Sequence, residues 1–367
     1  MSKTISLNGM KVGEGCPPYI IAEVSCNHMG DFETAKALIK AGFDAGADAV
    51  KLQTYEADTI TLDGPPEHFK MHHPLWHDMT YHKLYAQAQT PFSWMKPLFD
   101  YGRELGITIF SAPFDMSAAD LLIELDAPIF KIASFEAVHI PLIKKVAATG
   151  KPLIISTGIA SAQEIEEAVR AAREAGCKDL LLMHCVSSYP TPLEQAQLSK
   201  IALLRNRFDV LVGLSDHTRS TFTAEIAVGL GACMVEKHIM LNKDDDTFDK
   251  EFSLTPDEFA ELVRVCKSQS PEKFAARKNE PDVITAIGTP GFERQKGEKD
   301  GKPLRPSIIV AQDIKKGEAF TNDNLLIRRP AVGLAPKYWD AVIGKVAARD
   351  LKFGEGLSEE AVECGLQ

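Results

Sequence analysis

The sequence predicts a (β/α)8 TIM barrel followed by a small C-terminal domain. Three observations predict it: eight short apolar runs alternate with helix-like stretches, polar residues collect at the ends of those runs, and the texture changes beyond residue 280. The runs are YIIAEVS, AVKLQT, ITIFSAPF, IFKIAS, PLIISTG, LLLMHCVSS, VLVGLSDH and ACMVEKHI. Near-continuous hydrophobicity over a few residues is the pattern of a strand buried on both faces of a parallel sheet. The segments between them carry apolar residues at helical spacing, as in DFETAKALIKAGFDAGA and SAQEIEEAVRAAREAGC. The second of these opens with Ser161 and has Glu164 three residues on, a capping box. Eight strand–helix units in roughly 250 residues is the count of a (β/α)8 barrel.

The second unit is longer than the rest. Between KLQT and the helix starting near Pro91 runs YEADTITLDGPPEHFKMHHPLWHDMTYHKLYAQAQT, too long for an ordinary connection and therefore a lid or substrate loop. The barrel is expected over residues 1–280, a linker rich in Pro, Gly and charge over 281–304, and a second domain over 305–367. Within that domain AQDIKKGEAFT, from Ala311, and ARDLKFGEGLS, from Ala348, share one pattern and imply an internal duplication. About 60 residues is marginal for an independent core, so this domain should dock on the barrel or on a partner chain.

Composition excludes several classes. The 367 residues are 45% hydrophobic and 25% charged, as in an ordinary globular protein. A net charge of −10, without basic runs interleaved with aromatics, argues against a nucleic-acid surface. The seven cysteines are odd in number and form no C-x-x-C pair, which argues against a disulfide framework or thiolate zinc and for a reducing cytoplasm. The N-terminal stretch MSKTISLNGMKVGEGCPPY lacks a signal-peptide core, and no apolar run reaches the length of a membrane span.

The candidate site follows from where a barrel keeps its chemistry, at the C-terminal ends of its strands. There the sequence places Glu23, Ser25, Asn27 and His28; Lys51 and Gln53; Lys131, Ser134 and Glu136; Ser156 and Thr157; Ser187, Ser188 and Tyr189; Ser215, Asp216 and His217; and Glu236 and His238. In ACMVEKHIM, strand alternation sends Glu236 and His238 to one face and Lys237 to the other, toward the helices. Lys51 and Lys131 with nearby hydroxyls suit phosphate and carboxylate. His217 and His238, with Glu23 brought near by barrel closure, suit one divalent ion with open positions. His28, His72, His73, His77 and His82 are expected on the surface or in the lid.

The motifs IIAEVSCNHMGD, ADAVKLQTY, KIASFE, IISTGIAS, LMHCVSSYPTP, GLSDHT and MVEKH resemble, in order, those of the sialic acid synthase family. IVAQDIKKGEAFTNDNLLIRRPAVGL resembles that family's antifreeze-like (SAF, β-clip) domain. The long second loop, with D-T-I-T, L-W and L-Y features, is similar to the pseudaminic branch. The resemblance implies condensation of phosphoenolpyruvate with an amino-sugar aldose, for that branch 2,4-diacetamido-2,4,6-trideoxy-L-altrose. N-acetylmannosamine or a related aldose, as used by neuraminate or legionaminate synthases, is the alternative. It further implies that Lys51, Lys131, Ser134, Ser156, Ser187 and Ser215 hold phosphoenolpyruvate and that Gln53, Glu136, Tyr189, Asp249 and Arg329 face the sugar. His217 and His238 would bind Mn²⁺, or Mg²⁺ or Co²⁺, with Glu236 orienting His238. Glu23 would act on the developing charge, and Arg329 would arrive from the other protomer of a domain-swapped homodimer. The acidic loop at 244–249 departs from the glycine-rich form of that branch and bears on sugar preference. A metal-dependent barrel hydrolase and a non-catalytic sugar- or ice-binding protein are the competing classes. The first lacks a His-x-His on its opening strand, and the second leaves the lysines and histidines of the barrel unexplained.

Overall fold

The computed structural model describes residues 3–71 and 79–366. Eight strands close a parallel barrel: β3 (Tyr19–Glu23), β4 (Ala49–Thr54), β5 (Thr108–Pro113), β6 (Phe130–Ile132), β7 (Leu153–Ser156), β8 (Leu180–Cys185), β9 (Leu211–Asp216) and β10 (Met234–His238). They match the eight apolar runs in order, and β10 pairs with β3 to close the ring, setting His238 beside Glu23. Before them comes a hairpin the sequence reading did not anticipate, β1 (Thr4–Leu7) with β2 (Met10–Gly13). Its Leu7 and Val12 join Tyr19, Ile21, Phe110, Ile154 and Met183 in the core inside the barrel floor. That cluster is too short and turn-rich to stand out as a strand pattern, and only the barrel floor gives it something to cover.

The alternation inside the barrel explains the site. On β10 Met234 belongs to the inner core and Val235 to the layer under the helices. Residues two apart share a face, so Glu236 and His238 follow Met234 inward while Lys237 turns outward. Lys237 is fully buried and pairs there with Asp216 at 3.0 Å. Asp216, counted among the polar groups of the strand ends, therefore serves the helical layer. Gly213 on β9 is required by packing, since a Cβ there would stand 2.8 Å from the Met234 carbonyl oxygen.

The described parts of the long second loop pack as a wall. Short helices Ala57–Ile60 and Tyr81–Ala88 carry Ile60, Tyr81, Leu84 and Tyr85 into one cluster with Tyr55, Ala112 and Phe114. His72, His73 and His77 lie outside the described residues. His82 pairs with Asp58 at 2.8 Å near the surface, as expected. His28 corrects the expectation of a surface position: it is buried, accepts from Gly30 N–H at Nδ1 (3.0 Å) and meets Thr90 Oγ1 at 3.1 Å.

Beyond the barrel, β11 (Ser307–Val310) and β12 (Leu325–Arg328) pair antiparallel. The duplicated segments face one another reciprocally: Ile314 and Leu351 exchange backbone hydrogen bonds of 3.0 and 2.8 Å, and Lys315–Asp350 and Lys352–Asp313 pair at 2.9 and 2.6 Å. Twelve buried apolar residues form this domain's own small core. It docks on the barrel wall through Arg329 N–H to Ile60 O at 2.9 Å and Thr61 Oγ1 to Arg329 O at 2.8 Å. Arg305, at its start, pairs with Glu164 at 2.7 Å, and the same Glu164 completes the expected capping box with Ser161.

Three buried histidines outside the anion pocket make stability pH-dependent. Burial pushes His28 down to about 4 and His139 and His184 each down to about 3. His139 must also stay neutral at Nδ1 to accept from Leu142 N–H at 3.2 Å and cap its helix. The unfolded values lie near 6.5, so between about pH 6.5 and 3 the unfolded chain binds more protons and stability is lost as pH falls. Below about pH 6.5 the unfolding free energy should decline by up to ~1.4 kcal/mol per pH unit for each histidine, so the Tm should fall from pH 7 to pH 5. A flat Tm over that range would contradict the assignment.

Candidate active site

At the barrel mouth the inward layer above the hydrophobic floor is ionic. Lys131 Nζ donates to Glu236 Oε2 at 2.7 Å, and Lys51 Nζ stands 2.8 Å from Glu23 Oε2 and 3.6 Å from Glu236 Oε1. All four side chains are buried. Such a row survives burial only because charges alternate, since an isolated buried ion costs several kcal/mol. Burial alone would raise the Glu236 carboxyl, but Lys131 and Lys51 outweigh it and hold it at about 2. Burial would lower Lys51, yet Glu23 and Glu236 keep it raised; on Lys131 burial wins and its pKa falls.

Hydroxyls line this row. Ser215 Oγ donates to Glu236 Oε1 at 3.2 Å, Ser134 Oγ and Ser187 Oγ meet at 2.9 Å, and Ser156 Oγ is buried with no partner among the described residues. Gly158, at φ +27°, keeps that corner open: a Cβ would stand 2.3 Å from Ser134 Cβ and 2.5 Å from Ser187 Oγ. Two lysines, four serines and this cleared backbone form a pocket suited to phosphate and carboxylate.

His217 and His238 face each other with ring centroids 5.4 Å apart, and Phe252 packs edge-on against both. His217 Nδ1 lies 3.1 Å from Val186 O, which as a donor contact leaves Nε2 with the lone pair. Burial, and then the neighbouring His238, push His217 down to about 3, so the ring is neutral and able to ligate. His238 Nδ1 is buried and stands 3.0 Å from Asp249 Oδ2 without forming a hydrogen bond. Burial raises the Asp249 carboxyl but His238 overrides it, and its pKa is lowered. These donors fit a divalent cation, although no group of three or more ligands among the described residues already stands in metal-holding geometry. Glu236 does not orient His238 as expected. It lies one inward layer deeper, where two ammonium groups outcompete an imidazole, and Asp249 from the following loop takes that place.

On the other side of the mouth Arg329 Nε donates to Glu136 Oε1 at 3.0 Å and Nη1 to Tyr85 OH at 2.9 Å. Tyr85, Phe114 and Phe135 ring its guanidinium at 5.6, 5.3 and 5.2 Å. Burial raises Glu136 even against Arg329. Arg329 reaches the barrel of its own chain here, where the sequence had it arriving from a second one. Gln53 donates to Glu23 Oε1 at 2.8 Å and to Ser25 Oγ at 2.9 Å, and the Tyr189 ring stacks 4.6 Å from His217. Two of the strand-end residues singled out from the sequence turn away from this row: Asp216 pairs with Lys237 and His28 with Thr90.

The sequence reading missed Tyr85, Phe252 and Glu298. Phe252 carried a signal in the FSL segment after the acidic loop. Glu298, placed in the linker, is buried and accepts from Ser187 N–H at 3.0 Å and Gln295 N–H at 2.8 Å, so the linker closes over the anion pocket. A lone glutamate among linker charges gives no warning of that.

Residues 38–273 match the NeuB family, and residues 305–363 match the SAF domain. The chain belongs to the NeuB family. It is 38% identical over 350 residues to the pseudaminic acid synthase of Helicobacter pylori, covering 95% of this chain and 99% of that one. It is 34% identical to the N,N'-diacetyllegionaminic acid synthase of Campylobacter jejuni over 93% of this chain and 98% of that one. The crystal structure of the spore coat polysaccharide biosynthesis protein SpsE of Bacillus subtilis superposes with a TM-score of 0.82 at 33% identity, covering 98% of this chain and 99% of that one. Family membership makes the chain an enzyme, a transferase of the phosphoenolpyruvate-dependent synthases. Among the described residues no helix is long and apolar enough to cross a membrane.

Proposed function

We propose that this enzyme condenses phosphoenolpyruvate with 2,4-diacetamido-2,4,6-trideoxy-L-altrose to give pseudaminic acid and phosphate. The observation that carries the chemistry is the buried Glu23–Lys51–Glu236–Lys131 row, ringed by serines, beside the histidine pair. Higher identity to a pseudaminic acid synthase than to a legionaminic acid synthase supports the altrose sugar. The margin is narrow enough that the legionaminate and neuraminate aldoses are the second reading.

In this mechanism Lys51, Lys131, Ser134, Ser156, Ser187 and Ser215 hold the phosphate and carboxylate of phosphoenolpyruvate. Gln53, Glu136, Tyr189, Asp249 and Arg329 orient the open-chain sugar so that its aldehyde carbon meets the enol C3. A divalent ion held by His217 and His238, Mn²⁺ first and Mg²⁺ or Co²⁺ in its place, supplies Lewis-acid polarisation of the aldehyde oxygen when bound. Formation of the C–C bond leaves positive charge at C2. Glu23 stabilises that charge and takes a proton from the water that adds there. The resulting adduct breaks its C2–O bond to phosphate, releasing phosphate and the 2-keto acid.

Seven unpaired cysteines suit a reducing cytoplasm, which we take as the enzyme's setting. We also take the enzyme to be a domain-swapped homodimer in which each Arg329 serves its partner. A solution mass twice the 40.2 kDa of the chain, with activity restored on mixing Arg329→Ala and Glu136→Gln chains, would support it.

Arg329→Lys should raise the sugar's KM at least about tenfold and leave that of phosphoenolpyruvate within about twofold, because an ammonium loses the two-sided fork to Glu136 and Tyr85. Equal effects on both substrates would remove Arg329 from the sugar side. The function itself is tested by phosphate release from phosphoenolpyruvate with Mn²⁺, comparing the altrose sugar with N-acetylmannosamine, with and without chelator. Metal-dependent turnover of the altrose sugar is expected. Preference for N-acetylmannosamine would replace the substrate reading, and no turnover of either would overturn it.

A further inference from the structure

Ser25, at the mouth, has a backbone that an L side chain rarely adopts. Its φ is +49°, it is buried, and it follows β3 by two residues. A left-handed non-glycine residue carries a conformational cost that persists only where the surroundings need the side chain. Ser25 Oγ accepts from Gln53 Nε2 at 2.9 Å, while the second hydrogen of that amide goes to Glu23 Oε1 at 2.8 Å. On its other side the hydroxyl lies toward Cys26 Sγ at 3.8 Å. Both hydrogens of the Gln53 amide are thereby committed, and its orientation is set. The neighbouring Asn27 pins the same turn to the end of the adjacent strand β10, donating to Ile239 O at 2.8 Å and Ser253 Oγ at 2.9 Å.

We propose that Ser25 is a positioning residue whose hydroxyl, by accepting from Gln53, fixes the amide that bridges to Glu23 and so sets the sugar-facing Gln53 relative to the anion pocket. The inference rests on the synthase reading above. Its physical content is that the backbone strain at Ser25 is tolerated because it places one hydroxyl where it orients the Gln53 amide. Glycine would remove both the strain and the hydroxyl, and alanine only the hydroxyl, so the two variants separate fold from function.

The test compares wild type, Ser25→Gly and Ser25→Ala for Tm and for kcat and KM of both substrates, using the aldose that the wild type turns over best. Ser25→Gly should melt no lower than the wild type, because relief of the left-handed strain offsets glycine's extra unfolded-state freedom. It should still lose about 10- to 100-fold in kcat/KM for the sugar, the range for a lost hydrogen bond to charged or oriented groups, with the KM of phosphoenolpyruvate within about twofold. Ser25→Ala should match it in kinetics but melt lower. Adding Ser25→Gly to Gln53→Ala should cost little more than Gln53→Ala alone, since the two act through one contact. Ser25→Gly with wild-type kinetics, or full additivity with Gln53→Ala, would overturn the coupling. A wild type inactive with every aldose would instead count against the synthase reading.

Discussion

Replacing Glu23 by Gln should lower kcat by about 10²- to 10⁴-fold, the range for loss of a positioned proton acceptor. The size follows from what surrounds the carboxylate. Glu23 is fully buried, its Oε2 lies 2.8 Å from Lys51, and its Oε1 accepts from Gln53 at 2.8 Å. Gln preserves shape and one acceptor but carries neither the charge that would oppose a developing cation nor the basicity to take a proton from water. Its amide must also choose between its neighbours. With the oxygen toward Gln53, its NH2 faces the Lys51 ammonium; with the oxygen toward Lys51, two amide NH2 groups meet. A moderate fall in Tm should accompany the kinetic loss, with the KM of phosphoenolpyruvate rising only a few-fold because Lys51 still has Glu236 at 3.6 Å. A kcat within about tenfold of the wild type would remove Glu23 from the chemical step.

Lys131→Met should be the most destabilising single change at the mouth and should also abolish turnover. Lys131 is the nearest cation to Glu236, at 2.7 Å, and nothing but Lys51, farther away, and the Ser215 hydroxyl would remain to compensate that buried carboxylate. Breaking a buried pair by deleting one partner costs about 3–5 kcal/mol, because the survivor keeps its desolvation cost without the attraction that offset it. The companion Lys131→Met/Glu236→Gln separates the two consequences. It should recover most of the lost Tm, since the orphaned charge is gone, and none of the activity, since the pocket has lost a phosphate-holding ammonium. Chemical denaturation of the three proteins beside phosphate-release assays decides the matter. Recovery of activity in the double variant would mean that Lys131 serves the fold alone.

These two expectations rest on different sources of information. The amino-acid sequence by itself determined the eight-stranded barrel, because alternating apolar runs and helical segments are local signals. It also determined that Glu236 and His238 look inward while Lys237 looks outward, because strand alternation is a property of the backbone. The capping box at Ser161 and the duplicated turns of the C-terminal domain were legible for the same reason, as were the lysines and serines of the anion pocket once the strand ends were known.

Only the tertiary structure decided who pairs with whom. Glu236 lies two residues from His238 on one strand, yet its partners are Lys131 and Lys51 from across the barrel, and the group facing His238 is Asp249 from the next loop. Glu136 meets Arg329 and Ser187 meets Glu298 through contacts spanning 193 and 111 residues. The hairpin under the barrel floor and the buried His28 belong with these. Each pairing is a competition among several buried ions and donors, settled by loop closure and barrel curvature to within an ångström, and no local periodicity carries that information.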